Sequence, residues 1–318
     1  MNTKRKTKIR LSKLGKIIII GIVIAIIMII YLVNTITYRM SDEYKILELG
    51  YNDTEVETIL KKTEKKPAER EKIKKLRYNK IIPKLLNQKY FMFKNLERYL
   101  DYAHKHADTD LKTVVAMVNV KRDYDFYTHV TNTDVSKKEL ILVNKYHKLS
   151  KDFTPNQIVE ISNQYAYDGN QISKEVYEAY RSMWNAAKKE DLVLIVNSSY
   201  RDYESQDEVW NSLEQASGEI AADNKAARAG HSEHQTGLAL DIVTYNSLNN
   251  EFDQTKEFKW LQKNAHKYGF ILRFPKGKED ITGYNYESWH YRYVGIETAT
   301  KIHNLNITYD EYYAYYLE

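Results

Sequence analysis

The stretch Ser232-Glu233-His234-Gln235-Thr236-Gly237-Leu238-Ala239-Leu240-Asp241, answered downstream by Glu287-Ser288-Trp289-His290, decides how this chain is read. Together the two segments hold two imidazoles, a carboxylate and a spare glutamate. That is the inventory of a catalytic zinc site, with three protein ligands, an open fourth position for water and a general base. The chain has no cysteine, which excludes a structural thiolate site and any thiol nucleophile. It also lacks Ser-x-x-Lys, which argues against a serine acyl-enzyme. The His-Glu-x-x-His helix of the commonest zinc peptidases is absent as well.

The first stretch has a readable shape. Residues 236–243 read as a strand, in which side chains alternate between faces. Leu238, Leu240 and Ile242 then share the core face, while Gly237, Ala239 and Asp241 share the other. Small residues beside a carboxylate leave room for a metal and a substrate. An aspartate in so apolar a strand needs a partner, because a bare buried charge is costly. His234 lies an odd offset from Asp241 and would fall on the opposite face of a straight strand. The chain must bend near Gln235-Thr236-Gly237, and the glycine permits it. Glu287 is expected in the loop entering a strand over residues 291–294, with His290 at its start. A glutamate so placed can take a proton from water and pass it to a leaving amine.

Around these segments the pattern mixes strands and helices. Residues 114–120, 140–144 and 192–196 read as further strands. Residues 176–187, 205–216 and 258–268 read as helices. No regular βαβ rhythm links them, which predicts an α+β fold with a central antiparallel sheet flanked by helices. Residues 41–110 read as helices, with a capping box at Thr54-x-x-Glu57 and a break or kink at Pro83. The charge run of residues 61–66 reads as a solvated face. Residues 39–135 are therefore expected to be a helical stalk or N-terminal region.

The chain has 318 residues, with 29% charged and 43% hydrophobic, which suits a globular protein with room for an added anchor. Its net charge of +5 arises at one end. Residues 1–16 carry Lys4, Arg5, Lys6, Lys8, Arg10, Lys13 and Lys16 without an acid, so +5 less these seven leaves −2 for the rest. A nucleic-acid partner gains no electrostatic support. Residues 17–33 form an uninterrupted apolar run, extended to residue 38 by polar but uncharged positions, enough to cross roughly 30 Å of hydrocarbon. The preceding cations place residues 1–16 in the cytoplasm and residues 39–318 outside. No Ala-x-Ala-like site follows, which favours an uncleaved signal anchor over a cleaved signal peptide.

Ser232-x-His234-x-x-Gly237-x-Ala239-x-Asp241 with Glu287-x-x-His290 resembles the VanY-type D-alanyl-D-alanine carboxypeptidases, members of the wider LAS group of zinc peptidases. Further stretches carry the likeness in the same order: Leu142-Val143-Asn144-Lys145, Ser199-Tyr200-Arg201-Asp202-Tyr203-x-x-Gln206, residues 269–277, and Trp289-His290-Tyr291-Arg292-Tyr293-Val294-Gly295. The resemblance implies a zinc D,D-carboxypeptidase domain over residues 136–318, in which His234, Asp241 and His290 bind Zn2+ and Glu287 is the catalytic base. It implies that Arg201 sits by the scissile carbonyl or substrate carboxylate, where a guanidinium fork suits either charge. Gln206 and Ser232 are similar to positions that contact substrate. Ser288 and Ala229 stand where the family often has proline, and neither is an implied ligand.

The resemblance implies a bacterial, extracytoplasmic enzyme acting on peptidoglycan stem peptides, in a wall of Gram-positive type. An L,D-carboxypeptidase or endopeptidase of the same fold would carry the same zinc residues, and a catalytically silent wall-binding module is the alternative of another class. His104, His106, His129, His147, His266 and His303 read as structural. His231 adjoins the motif, but its spacing matches no ligand. Trp289 and the tyrosines of residues 309–316 read as packing.

Overall fold

The computed structural model describes residues 12–245, 247 and 249–318. The basic segment of residues 1–11 expected in the cytoplasm lies outside the described residues. Contacts divide the chain into two compact units, Met1–Phe93 and Lys94–Glu318.

In the first unit, helix α1 (Lys13–Met40) buries no residue and is, among the described residues, the one helix long and apolar enough to cross a membrane. Ser12 caps it, its hydroxyl accepting from the Gly15 N–H. Four short helices follow: α2 (Asp42–Glu48), α3 (Asp53–Lys62), α4 (Pro67–Lys75) and α5 (Ile82–Leu86). Their buried apolar residues include Ile46, Val56, Ile59, Ile73, Ile82 and Leu85. The capping box falls two residues earlier than expected, at Asn52 and Glu55, because asparagine is the better N-cap. Pro83 stands in the first turn of α5, starting that helix rather than breaking one.

The second unit opens with α6 (Leu96–Lys105) and α7 (Leu111–Asn119). Residues 114–120, expected as a strand, are therefore mostly helical. Asp110 caps the helix by accepting from the Lys112 and Thr113 N–H groups, and Val114, Val115 and Val118 form its buried face. Capping and packing outweigh the strand preference of valine here. Residues 94–135, expected to belong with the N-terminal region, pack within this unit. Arg98 reaches from α6 to Asp123, donating from Nε at 2.8 Å, and to the Val118 carbonyl at 2.9 Å.

Two small ladders come next. β1 (Thr131–Asn132) pairs in parallel with β2 (His147–Lys148), and β3 (Ile158–Glu160) pairs antiparallel with β4 (Gln171–Ser173). The strand expected over residues 140–144 does not form; a 3-10 turn, Val135–Leu140, precedes it and only Asn144 bridges to His147. Carbonyls that a ladder would have used accept from side chains instead: Ile141 O from Arg292 Nη2 at 2.7 Å, and Leu142 O from Thr133 Oγ1 at 2.8 Å.

The remaining elements build the core. Helix α8 (Lys174–Lys188) leads to β5 (Ile195–Ser198), which starts three residues later than expected. Helices α9 (Tyr203–Ser217) and α10 (Glu219–Lys225) precede β6 (Ala239–Val243). Helix α11 (Lys256–Asn264) and a 3-10 turn (Ala265–Tyr268) lead to β7 (Phe270–Phe274). The short α12 (Glu279–Thr282), β8 (Glu287–Tyr293), α13 (Ile296–Leu305) and α14 (Tyr309–Tyr316) complete the chain. The main sheet runs β5-β6-β8-β7, antiparallel throughout, as the α+β reading expects. Val176, Tyr180, Met183 and Trp184 of α8 pack with Leu240 and Ile242 in one cluster. A second cluster joins Ile271 to Ala299 and Ile302 of α13 and Tyr309, Tyr312 and Tyr313 of α14. The sheet is thus held between helices, and Tyr309, Tyr312 and Tyr313 are packing, whereas Tyr316 is exposed.

Candidate active site

The local chain path places His234 beside Asp241. Ser232 caps a 3-10 turn, Glu233–Thr236, its hydroxyl accepting from the His234 N–H at 3.3 Å. Gly237 ends the turn in the left-handed region, at φ +65°. This is the bend that the odd offset between His234 and Asp241 requires. His234 Nδ1 donates to the Ser199 carbonyl at 2.6 Å, which leaves Nε2 without a proton and 3.6 Å from Asp241 Oδ2.

His290 arrives through the sheet. In the β6–β8 ladder it pairs with Asp241, and its Nδ1 lies 3.2 Å from Asp241 Oδ1. Ligand atoms of His234, Asp241 and His290 all fall within 4.8 Å of one another, and all three residues are buried. Glu287 lies on the same strand, not in an entering loop. Three residues apart, Glu287 and His290 would face opposite ways on a regular strand. The β7–β8 pairing is irregular: Leu272 pairs with Tyr291 and Phe274 with Glu287, so β8 advances four residues where β7 advances two. With that irregularity Glu287 Oε2 comes to 3.5 Å from His290 Nδ1.

Arg201 follows β5, and its N–H donates to the His234 carbonyl at 3.2 Å. Its guanidinium is fixed by two acceptors, Gln206 Oε1 at 2.8 Å and Ser198 Oγ at 2.9 Å. Gln206 is buried and also donates to the Ala227 carbonyl at 2.7 Å. Its hydrogen-bonding capacity thus goes largely to holding Arg201 and the cavity wall. One cavity receives Arg201, Gln206, Ser232, His234, Asp241, Glu287 and His290 alike. His231 and Trp289 line it too, and His231 Nδ1 is 2.8 Å from the Asn144 carbonyl. Among the described residues, His104, His106, His129, His147, His266 and His303 belong to no metal-capable cluster.

Charge in the cavity is strongly coupled. Burial pushes the Glu287 carboxyl up to about 8, with Asp241 and Glu233 adding to the rise while His290 and Arg201 oppose it. Burial disfavours charge on Asp241, yet His234, His290 and Arg201 outweigh it and lower its pKa. Burial brings His234 down to about 4. His290 goes the other way, to about 10, because the carboxylates of Asp241, Glu233 and Glu287 around it outweigh its burial. Asp241 Oδ1 is buried without a hydrogen-bond partner, and His234 Nε2, left as an acceptor, lies 3.6 Å from Asp241 Oδ2. Two nitrogens and a carboxylate, with no sulfur, form a donor set suited to zinc.

Sequence reasoning missed what lies behind the cavity. Glu233 Oε1 accepts from Arg273 Nε at 2.7 Å and from Arg292 Nη1 at 2.9 Å, with all three residues buried. Arg273 also donates to Asp310 on α14 at 2.6 Å, and Asn144 Nδ2 donates to Asp310 at 2.8 Å. The signal was present: Arg273 and Arg292 each interrupt a buried strand, and a buried guanidinium demands an acid. Lys145, part of the family likeness, was not read as a buried cation. Its ammonium sits within 4.0–5.1 Å of the Tyr284, Phe126 and Tyr127 ring centroids.

An antiparallel sheet carrying this donor set, with a glutamate beside it, is the layout of a carboxypeptidase of the LAS group. The profile of the VanY D-alanyl-D-alanine carboxypeptidase family matches residues 169–296. The Bacillus subtilis (strain 168) protein YodJ is 42% identical over 181 residues, 55% of this chain and 66% of that protein. The D-alanyl-D-alanine carboxypeptidase of Enterococcus faecium is 34% identical over 198 residues, 59% of this chain and 62% of that enzyme. The match spans just under two thirds of each of these two relatives. Among solved structures, the LdcB LD-carboxypeptidase is 38% identical with a TM-score of 0.56, over 59% of this chain and 91% of that one. The chain belongs to the VanY family of D-alanyl-D-alanine carboxypeptidases.

Proposed function

We propose that this protein is a membrane-anchored, extracytoplasmic zinc D-alanyl-D-alanine carboxypeptidase that removes the terminal D-Ala from peptidoglycan stem peptides. The observation that carries the reading is the convergence of His234, Asp241, His290, Glu287 and Arg201 on one cavity. His234, Asp241 and His290 would hold the zinc. When bound, zinc supplies a Lewis acid for the scissile carbonyl, a water of lowered pKa, and a dication whose charge favours ionised Glu287. Glu287 takes the proton of the attacking water and returns it to the leaving D-alanine amine. Arg201, pre-oriented by Gln206 and Ser198, receives the substrate carboxylate or the oxyanion that develops at the scissile carbonyl. Ser232 keeps the turn that carries His234 in place and faces the substrate cavity. Helix α1, exposed along its whole length, is the anchor, with the basic residues before it on the cytoplasmic side.

The test is mass spectrometry of a stem pentapeptide ending in D-Ala-D-Ala, incubated with the full-length protein with and without a chelator. Loss of one alanine, abolished by chelation and restored by zinc, is expected. Unchanged pentapeptide despite bound zinc would overturn the D,D reading. The likeness to the LdcB LD-carboxypeptidase favours an L,D-carboxypeptidase as the second reading. A tetrapeptide shortened while the pentapeptide stays intact would establish that one. Zinc without turnover of any stem peptide or cross-linked fragment would leave a wall-binding module.

A further inference from the structure

His290 has two ring nitrogens in different surroundings. Nδ1 faces the cavity, 3.2 Å from Asp241 Oδ1 and 3.5 Å from Glu287 Oε2. Nε2 points away from it, toward Glu233 Oε2 at 3.5 Å. Both Nε2 of His290 and Oε2 of Glu233 are buried, and neither has a hydrogen-bond partner, so each faces the other across 3.5 Å. Glu233 cannot turn elsewhere, because Arg273 and Arg292 grip its other oxygen. Arg273 is gripped in turn by Asp310 of α14, and Arg292 by the Ile141 and Tyr293 carbonyls.

A fully buried carboxylate between two arginines is costly to assemble and gains little net stability over apolar packing. Here it has one free oxygen, and that oxygen faces the far nitrogen of a candidate metal ligand. A ligating imidazole binds through one nitrogen only when its proton sits on the other, so a carboxylate on the far side fixes both tautomer and ring orientation. Arg273 and Arg292 pair with Glu233 Oε1 at 2.7 and 2.9 Å, which leaves Oε2 placed to accept the Nε2 proton.

We propose that Glu233 is a positioning residue for the metal site. It holds His290 as the Nε2–H tautomer, so that Nδ1 is the atom offered to zinc, and Arg273, Arg292 and Asp310 hold Glu233 for that task. This inference rests on the zinc reading given above and adds a residue to it. It also gives the C-terminal helix a purpose in the site, since Asp310 lies one ion pair from Glu233.

The first experiment needs no variant. In full-length protein loaded with zinc, 15N NMR of the histidine rings should show His290 protonated at Nε2 and bound through Nδ1. Binding through Nε2 would overturn the proposal. The second compares zinc affinities by chelator competition. E233Q removes the charge, and E233D keeps it while drawing it back from His290. Both should bind zinc 10–100-fold more weakly than wild type. The core variant W184F, which loses the Trp184 hydrogen bond to Leu194 O, should bind zinc as wild type does. A folded E233Q or E233D of unchanged affinity would overturn the proposal, and if neither folds the wild-type NMR result decides. Wild-type protein that binds no zinc would refute the zinc reading itself, which is a separate failure.

Discussion

Asp241 and His290 face each other across two adjacent antiparallel strands, His290 Nδ1 3.2 Å from Asp241 Oδ1. Their separation is set by backbone register rather than by loop conformation. A one-residue slip would turn one of them to the opposite face. The core face of β6, with Leu240 and Ile242 fully buried, forbids that slip. The metal-capable pair is therefore locked by the same packing that stabilises the sheet, which is how a site becomes preorganised.

Asp241 supplies the only carboxylate of the donor set, so D241N should lose zinc. We expect a folded protein whose zinc content after dialysis is near zero, against one equivalent in wild type. Elemental analysis checks this, and full retention of zinc by D241N would remove Asp241 from the ligands.

Glu287 should separate binding from chemistry. E287Q keeps the shape of the side chain and removes its basicity. Zinc content should stay at one equivalent while kcat on the pentapeptide falls about 10²–10⁴-fold, the usual worth of a general base. A kcat within a few-fold of wild type would show that another group takes the proton.

How much of this site the sequence disclosed depends on what kind of constraint places each residue. His234, Asp241 and His290 belong to short local patterns, and the bend at Gly237 followed from parity alone. Glu287 was legible as a residue, yet its place on β8 depends on an irregular pairing with β7 that no spacing reveals. The helix over residues 111–119 was misread because valine preference was weighed without the Asp110 cap. Glu233, Arg273, Arg292 and Asp310 come from four separate segments. Only the fold brings them together, although two arginines inside apolar strands were a hint.

Arg201 is held by Gln206 and Ser198 so that its fork has a fixed aim. R201K keeps the charge but loses the planar fork and its two anchors. We expect kcat/KM to fall about 10²–10³-fold, the scale of losing a preorganised oxyanion donor. Q206A, which loosens the guanidinium and frees the Ala227 carbonyl but leaves the fork itself in place, should cost less than R201K. Steady-state kinetics on the pentapeptide reads both, and equal activity of R201K and wild type would leave Arg201 a structural residue.

Gly237 has no room for a side chain. At φ +65° an added Cβ would lie 2.6 Å from Ser173 Oγ and 3.0 Å from both Ile158 Cδ1 and Pro155 Cγ. Left-handed backbone costs an L-residue about 1–2 kcal/mol, and crowding about 1–3 kcal/mol more. G237A should therefore shift the urea midpoint downward and, by moving the turn that carries His234, weaken zinc binding in the same variant. A midpoint equal to wild type would show that the turn adapts.

His147 predicts the acid limb of stability. Burial, together with the Lys121 ammonium 3.3 Å from Nε2, pulls its imidazole down to about 3. The neutral ring suits its neighbours, with Nδ1 donating to Asn144 Oδ1 at 3.0 Å and Nε2 accepting from Lys121. In the unfolded chain the imidazole returns to about 6.5. Between pH 6.5 and 3 the unfolded state therefore holds the extra proton, and stability falls as pH falls. One proton sets a limiting slope of about 1.4 kcal/mol per pH unit. H147Q can keep both hydrogen bonds and has no proton to gain. It should be the less stable protein at pH 7 and lose its deficit as the pH drops toward 4. Urea unfolding of wild type and H147Q at pH 7, 6, 5 and 4 measures the gap. A gap that stays constant across that series would show that His147 is charged in the folded protein, or that its partners move to accept the charge.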